Sequence, residues 1–381
     1  MASSNATTVP SYVEKLFGDD LHAKRVLALA HVTEGAVLAG ALGIHVIGGA
    51  LATARESDKK HAVKRVDRLL GNDGIDVSAL FGKWVPFVVA QREELLVALD
   101  WTEFDKDGHS TLVASLVSSH GRASPLVWRS FERSSLKGRR LDVECELLRR
   151  LKEVLPATVK RVLLLADRGI SDPSRWSAWA ALGFDFLTRV RGDLLITSEG
   201  VAQPAVEWLA TRGKASRLTN VTATQQNYPI AVFASVKAAK MREPWFLVSS
   251  RGDLSAAELV QLYGRRFTIE ESFRDVKDLR FGMGLAELRV STTARRDRML
   301  LISALAIVFL TILGAAGEAV GIDKYFKTNT SKKRQLSLFR QGCEYYVFLP
   351  GMREERARLL VDKFCELMAE HAFVTQITSV I

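Results

Sequence analysis

The chain has little cysteine and no recognisable export signal. Only three of its 381 residues are cysteines, Cys145, Cys343 and Cys365, and they are far apart with no C-x-x-C pair. This spacing excludes a disulfide framework, argues against a zinc cluster and favours a reducing compartment. The first residues lack a charged segment followed by an apolar run, so we expect no secretory signal.

The sequence also lacks internal repeats and low-complexity tracts. Hydrophobic residues make up 48% and charged residues 25% of the chain, which is an ordinary globular composition. This composition excludes a wholly disordered or fibrous protein. The length predicts two or three domains with a core large enough to need no disulfide or metal.

Positive charge is in excess. The chain has 53 Lys and Arg against 43 Asp and Glu, a net charge of +10, and its isoelectric point is about 9.5. A surplus of this size indicates a polyanionic partner, with nucleic acid as the first candidate and an anionic membrane surface as the second. Basic residues cluster in two segments, residues 59–68 and 327–340.

Residues 1–88 are predicted to form a helical N-terminal domain that binds DNA. Glycines divide this part into helices, and one helix carries Lys64, Arg65 and Arg68 before a Gly-Asn stop signal. A basic face like this is either an ordinary solvated surface or a DNA-contacting one. The net charge of the chain favours DNA.

Residues 89–320 are predicted to form an α/β domain. Three strands, a helix, a strand, a helix and a strand follow one another, which is the order of a ribonuclease-H-like mixed sheet and not of a repeated βαβ unit with a phosphate loop. A β-rich insertion covers about residues 190–243, and one long helix covers residues 254–279. Residues 321–381 are predicted to be a helical and basic C-terminal region, with a last helix at 354–372.

Residues 299–316 form a strongly apolar run preceded by three arginines. A run of this length just qualifies as a transmembrane helix, and the arginines are typical of a membrane flank. The other interpretation is a central core helix of a large α/β domain. The small residues of the run, and its being a single candidate, favour the core helix.

Three acids are candidates for metal-dependent chemistry. Asp100 and Asp167 are each predicted at the end of a core strand, and Glu270 lies in the long helix. Acids at strand ends project from the edge where the active sites of open α/β sheets form. Carboxylates from separate elements can hold two Mg²⁺ or Mn²⁺ ions for phosphoryl transfer. Each acid taken alone could equally be a cap or turn residue.

Tyr263, Arg266, Glu270 and Lys277 share one face of the predicted long helix. At 100° per residue, these four positions fall within a stripe about 60° wide. A phenol, a guanidinium, a carboxylate and an ammonium therefore lie together. The alternative is an ordinary exposed face with ion pairs between neighbouring turns.

The segment YGRRFTIEESFRDVK resembles the Y-x₂-R-x₃-E-x₆-K signature of the IS4-type DDE transposases of bacterial insertion sequences. Tyr263, Arg266, Glu270 and Lys277 match the signature without a gap. LDWTEF and LLLADRGI are similar to the strands that carry the first and second catalytic Asp, and the WFLVSS strand and the β-rich insertion also agree. The resemblance extends from about Lys64 to about Gly342.

This resemblance implies a role for each matched residue. Asp100, Asp167 and Glu270 would be the metal-binding catalytic triad with two Mg²⁺ or Mn²⁺ ions, and the family spacing selects Glu270 over its neighbour. Tyr263, Arg266 and Lys277 would hold DNA phosphates, by a bidentate contact in the case of Arg and a point charge in the case of Lys.

The resemblance also implies a function. The protein would bind the terminal inverted repeats of its element as a homodimer, cut the DNA and join the freed 3′-OH to target DNA. It would be cytoplasmic and nucleoid-associated, with residues 299–316 in its core and not in a membrane.

Two other functions remain open. A ribonuclease-H-like nuclease would use the same triad for hydrolysis without strand transfer, although it would not need the tyrosine–arginine–lysine face. A non-enzymatic DNA-binding or membrane-anchored protein would leave the three acids without a role. Trp208 and Trp245 are either base-stacking residues for a flipped nucleotide or packing residues, and packing is favoured.

Overall fold

The computed structural model describes residues 8–369, except 211, 212, 329 and 332. In this part of the chain the N-terminal region is entirely helical up to the first strand. Its helices are α1 (Val9–Phe17), α2 (Ala23–Ala39), α3 (Ile44–Ala54), α4 (Lys59–Leu70) and α5 (Val77–Val89).

A mixed sheet follows, with ten strands in the described residues. The strands are β1 (Glu94–Phe104), β2 (His109–Val117), β3 (Ala123–Glu132), β4 (Arg161–Ala166), β5 (Asp185–Val190), β6 (Leu195–Ser198), β7 (Val201–Pro204), β8 (Ser216–Ala223), β9 (Tyr228–Val236) and β10 (Trp245–Ser249). Their order across the sheet is β3-β2-β1-β4-β5-β10-β9-β8-β6-β7. The β1–β4 and β4–β5 pairs are parallel and the other pairs are antiparallel.

Helices connect and cover the strands. They are α6 (Arg140–Val154), α7 (Pro173–Ala181), α8 (Ala256–Gly264), α9 (Thr268–Lys277), α10 (Thr293–Ala319), α11 (Leu338–Phe348) and α12 (Glu354–Ala369). A mixed α/β sheet was expected, and the structure confirms it. The β-rich segment between β5 and β10 adds β6 to β9 to the same sheet. The predicted end of the last helix, residues 370–372, lies outside the described residues.

One face of the sheet packs against α8 and α9. Leu96, Leu163, Leu187 and Leu247, on β1, β4, β5 and β10, form a buried cluster with apolar residues of these two helices. Successive side chains of a strand point to opposite faces. Even-numbered residues of β1 and odd-numbered residues of β4 and β5 therefore face α8 and α9, and this alternation positions the candidate site.

The apolar run lies within α10, which has the burial of a core helix. It is the one helix of the described residues that is long and apolar enough to cross a membrane, but 83% of its most apolar window is buried inside the protein. Helices α2 and α3 pass the same test only when taken together, and the chain bends by 96° between them. Helix α10 packs on α2, α11, α12 and β3.

The arginines at the start of α10 bind protein groups. Each one pairs with an acid from a distant part of the chain: Arg295 with Asp67, Arg296 with Asp107 and Arg298 with Asp73. Arg296 also donates from Nε to Nδ1 of His109 at 3.1 Å. These contacts fasten α10 to the N-terminal helices and to the β1–β2 turn.

The long helix predicted for residues 254–279 is wrong as a single element. The α-helix ends at Gly264, a 3₁₀ turn covers Arg265–Phe267, and a second α-helix begins at Thr268. Glycine is a poor helix former, and the tighter turn changes the direction of the residues that follow it. Tyr263, Arg266, Glu270 and Lys277 therefore do not lie on one face of a single ideal helix, as was predicted.

Asp297 should make the stability of the protein depend on pH. Its carboxylate accepts a hydrogen bond from the Ser130 N–H at 3.0 Å, where α10 meets β3, and burial raises its pKa from 3.8 to about 7. Because the folded-state pKa is raised, the free energy of unfolding falls as the pH rises from 3.8 to about 7, where the folded carboxyl also ionises. We expect Asp297→Asn to melt at a higher temperature than wild type at pH 8, with a smaller difference at pH 5.

Thermal melting across this pH range measures the effect. The control is Asp362→Asn, which changes an exposed residue of α12. A melting difference for Asp297→Asn that stayed constant with pH would contradict the assignment.

Candidate active site

Asp100 and Asp167 lie side by side on neighbouring parallel strands. Ala98 pairs with Leu165, so the same register continued by two residues places Asp100 beside Asp167. Adjacent strands are about 4.8 Å apart, and residues in parallel register point to the same face. Both carboxylates therefore face α8 and α9.

Asp100 was predicted at the end of its strand, and this is wrong. Strand β1 continues to Phe104 because β2 pairs with it throughout, including Asp100 with Val113. Only the parallel pairing with β4 stops, at Ala98. Asp167 directly follows β4, and its carboxylate accepts the Gly169 N–H at 2.7 Å as the cap of a short 3₁₀ turn.

Arg266 links the third acid to the first. Its Nη1 donates to Oδ2 of Asp100 at 3.1 Å, and its Nη2 donates to Oε1 of Glu270 at 2.6 Å. The Arg266 side chain is 7% exposed, against 19% for Asp100 and 52% for Glu270. A buried guanidinium therefore connects a strand carboxylate to a helix carboxylate at the rim of the site.

The electrostatics of Asp100 show that it lies close enough to the other two acids to feel their charges. The pKa of Asp100 is raised from 3.8 to about 6, mainly by burial, and the negative charges of Asp167 and Glu270 act in the same direction. The charge of Arg266 and the Trp101 N–H, which donates to Asp100 Oδ1 at 2.9 Å, act in the opposite direction. A metal cation bound to Asp100 would compensate for the water lost on burial and favour the ionised form of this carboxyl.

Tyr263 is buried beneath the site and not on an exposed face. Burial raises the pKa of its phenol to about 12. Trp245 packs edge-on against its ring, with centroids 5.1 Å apart, and Phe267 lies 6.4 Å away. Trp245 thus makes the packing contact that was favoured, at the edge of the site. Trp208 donates from Nε1 to the Ile196 carbonyl at 3.3 Å, within the insertion.

Lys277, the last residue of α9, contacts β1 beyond Asp100. Its Nζ donates to Thr102 Oγ1 at 3.1 Å and to the Glu103 carbonyl at 2.7 Å, and burial lowers its pKa. Thr102 is on the same face of β1 as Asp100, since the two are separated by two residues. Lys277 therefore extends the row of polar groups without contacting the three acids.

Glu271 faces away from the site. It forms ion pairs with Arg274 at 3.0 Å and with Arg122 at 3.9 Å. Only Glu270 of the two adjacent glutamates reaches the guanidinium that contacts Asp100. This difference makes Glu271 a matched control for Glu270.

The donor set fits Mg²⁺ or Mn²⁺, although the ligands are not gathered around one point. Among the described residues, no three metal-binding side chains lie close enough together to hold an ion. Arg266 lies between Asp100 and Glu270 and forms an ion pair with each. Carboxylate oxygens from three elements are nevertheless the ligands these hard cations prefer. Asp100, Asp167 and Glu270 are the residues that would hold them.

Comparison with known proteins finds a family that this part of the chain resembles. Residues 141–309 match the family model described as a transposase DDE domain. The match supports a DDE transposase. The matched segment contains Asp167, Glu270 and all the signature residues, and it begins after Asp100. The DDE transposase family implies a DNA substrate and an enzymatic role in transposition. No curated protein matches the chain.

Sequence reasoning missed a buried carboxylate that supports the candidate site. Glu144 of α6 is fully buried, accepts from Trp101 Nε1 at 2.9 Å and pairs with Arg175 Nε at 2.6 Å. Trp101 follows Asp100, and Arg175 lies at the start of α7, just after the Asp167 turn. Glu144 therefore joins the two segments that carry the aspartates. No sequence pattern marked it, because it looks like one more charge on an amphipathic helix.

The basic residues of α4 are in a different part of the chain from the three acids. Lys64, Arg65 and Arg68 are exposed on α4, whose opposite face packs on α2, α3 and α10. Arg65 Nη1 lies 3.0 Å from Nδ1 of His31, which accepts the hydrogen bond because a guanidinium only donates. The structure therefore places the three basic residues close to one another on α4, away from Asp100, Asp167 and Glu270.

Proposed function

We propose that the chain is an IS4-type DDE transposase that binds the terminal inverted repeats of its insertion sequence, cuts at the ends and joins the 3′-OH to target DNA. The observation that carries the proposal is the register of Asp100 beside Asp167, with Glu270 joined to Asp100 through Arg266. Three carboxylates on three elements are the arrangement that two-metal phosphoryl transfer requires.

The sheet supports a ribonuclease-H-like core. Its first five strands have the order β3-β2-β1-β4-β5, with β1, β4 and β5 parallel to one another. Two helices follow in the predicted places, α6 after β3 and α7 after β4. In this interpretation β6 to β9 are the insertion and α9 returns the third acid to the sheet.

The residues divide the chemistry between them. Bound Mg²⁺ or Mn²⁺ would lower the pKa of an attacking oxygen and stabilise the charge on the leaving one. Asp100, Asp167 and Glu270 would hold these ions. In the first step a water oxygen bonds to the scissile phosphorus and the bond to the 3′ oxygen breaks. In the second step that 3′ oxygen bonds to a target phosphorus and displaces the 3′ oxygen there.

Arg266 has two sets of partners in this proposal. In the free chain its guanidinium binds Asp100 and Glu270, and in the complex it would bind a phosphate of the transposon end. A phosphate offers the same bidentate geometry as a carboxylate. DNA binding would thereby release the two acids for metal ions, while Lys277 supplies a point charge further along β1.

We further propose that residues 1–88 bind DNA through Lys64, Arg65 and Arg68, and that two copies of the chain act together in the synaptic complex. Such a protein would work in the cytoplasm at the nucleoid. The exposed side chains of α4 support the first part of this proposal.

Reversing charge on α4 should weaken DNA binding and its dependence on salt. We expect Lys64→Glu/Arg68→Glu to bind duplex DNA more weakly and to reduce the slope of log affinity against log salt by about 1 for each phosphate that the variant no longer binds. Fluorescence anisotropy with a labelled duplex measures both. Lys15→Glu/Lys83→Glu, on α1 and α5, is the control with the same charge change. An equal loss of affinity in both variants would remove α4 from the interface.

The function itself is tested with a labelled duplex that carries the terminal repeat of the element, a target plasmid and Mg²⁺. A transposase nicks at the repeat boundary and joins the end to the plasmid. Cutting without joining would identify the nuclease alternative, and an absence of DNA binding would contradict the proposal.

A further inference from the structure

Arg189 belongs to the same row as the two aspartates. Ala166 of β4 pairs with Thr188 of β5, so the parallel register places Arg189 beside Asp167. Asp100 in β1, Asp167 directly after β4 and Arg189 in β5 therefore occupy equivalent positions across three adjacent parallel strands. All three side chains face α8 and α9. A cation thus follows the two acids directly across the sheet.

The guanidinium of Arg189 is largely enclosed, and part of it is unpaired. Its side chain is 15% exposed. Nη2 donates to Glu243 Oε2 at 2.9 Å and to the Pro244 carbonyl at 3.2 Å. Its Nε is buried and has no hydrogen-bond partner among the described residues. The charge of Arg189 also acts on the phenol of Tyr263, whose pKa it lowers. Arg189 therefore lies beside Asp167, and its Nε is a donor without a hydrogen-bond partner in the described part of the chain.

Arg168 shares the same carboxylate oxygen. It follows Asp167 in the chain, and its Nη1 lies 3.4 Å from Glu243 Oε2. One exposed carboxylate therefore lies between two guanidinium groups, both from residues next to Asp167, one along the chain and one across the sheet. Since a carboxylate and a phosphodiester carry the same charge and accept the same hydrogen bonds, the two groups compete for such a pair.

The surroundings of Glu243 are suited to a strand of nucleic acid. Glu243 lies in the loop of residues 237–244, which Lys237 closes through bonds to the Met241 and Arg242 carbonyls. Lys240 and Arg242 are exposed on the same loop. An open cavity of about 600 Å³ borders Arg168 and is lined by Arg191, Gln225 and Gln226, among others. Asp172 and Asp193 line the same cavity, where the side chains of Arg191, Gln225 and Gln226 can donate to a phosphate.

We propose that Arg168 and Arg189 form a phosphate-binding site for the DNA strand next to the acids, and that Glu243 occupies this site in the free chain. DNA must displace the Glu243 carboxylate to bind there. The inference rests on the proposed transposase function and adds an intramolecular competitor to it. Removing the charge of Glu243 then favours DNA, whereas removing the two arginines disfavours it.

The test compares DNA affinity in four proteins without divalent metal. The probe is a fluorescein-labelled duplex of arbitrary sequence, and the proteins are wild type, Glu243→Gln, Arg168→Gln/Arg189→Gln and the triple variant. We expect Glu243→Gln to tighten binding by about 2- to 5-fold, the range of an exposed ion pair. The double variant should bind about 10-fold more weakly, and Glu243→Gln should have no further effect in that background.

Controls keep the outcomes separate. Glu207→Gln removes an exposed acid elsewhere in the insertion and should leave affinity unchanged. Thermal melting verifies folding, and Arg168→Lys/Arg189→Lys replaces the glutamine variant if that variant unfolds; it should retain an effect of Glu243→Gln. Wild-type binding that Glu243→Gln does not change overturns the inference and leaves the transposase proposal intact. An absence of binding in every protein overturns both.

Discussion

Asp100→Asn, Asp167→Asn and Glu270→Gln are each expected to abolish DNA cleavage. Replacing any one of them removes an anionic ligand from the proposed metal site, while the shape of the side chain is kept. A bound metal supplies several kcal/mol of transition-state stabilisation, so the rate should fall by about 10³-fold or more. Cleavage of the labelled terminal repeat in Mg²⁺ measures the loss, and anisotropy should show that DNA binding remains.

Glu271→Gln is the matched control for this series. Glu271 adjoins Glu270 in sequence but pairs with Arg274 and Arg122, away from Asp100. Its replacement should leave the cleavage rate close to that of wild type. An equal loss in Glu270→Gln and Glu271→Gln, or full activity of any of the three triad variants, would refute the assignment of the acids.

Gly314→Ala and Gly342→Ala are expected to cause the largest loss of stability. Helices α10 and α11 cross so closely that a Cβ on residue 314 would lie 1.9 Å from the Leu338 carbonyl oxygen, and one on residue 342 would lie 1.8 Å from that of Leu310. Because backbone atoms occupy both positions, the helices must separate. Each substitution should lower the free energy of unfolding by about 3 kcal/mol or more, as severe overpacking does.

Gly82→Ala tests the same substitution where space is free. Gly82 lies in α5, and a Cβ there would meet nothing within 4 Å. Alanine is the better helix former, so this variant should gain about 0.5–1 kcal/mol. Urea denaturation measures all three proteins. Similar small changes in all three would contradict the close crossing of α10 and α11, and with it the assignment of α10 as a core helix.

Local sequence patterns predicted much of the fold. The predicted order of three strands, a helix, a strand, a helix and a strand is the order in which β1 to β3, α6, β4, α7 and β5 follow one another. The break between α8 and α9 was not predicted, because Tyr263, Arg266 and Glu270 also fit one ideal helix. Helix α11 lies in the region predicted to be helical and basic, but its bounds were not predicted, because the basic cluster at residues 327–340 covers only its first three residues.

The candidate site could be predicted only in part. The spacing from Tyr263 to Lys277 and the acids after apolar runs indicated which residues to consider. The link from Arg266 to Asp100 joins residues far apart in the chain, and the placement of Arg189 depends on the register of β5. Both are properties of the assembled sheet, and no local pattern contains them. The pairing of Glu243 with two arginines is tertiary for the same reason.

The most direct test of the central claim, that three acids form one metal site, replaces Mg²⁺ with Fe²⁺ in the DNA-bound protein. Ascorbate and peroxide then generate hydroxyl radicals at the metal, which cut the protein chain where it approaches the ion. We predict cuts near residues 100, 167 and 270. Excess Mg²⁺ should suppress these cuts, and Asp167→Asn should eliminate all three. Cuts at other places, or cuts near 100 and 270 that persist in Asp167→Asn, would contradict a shared site.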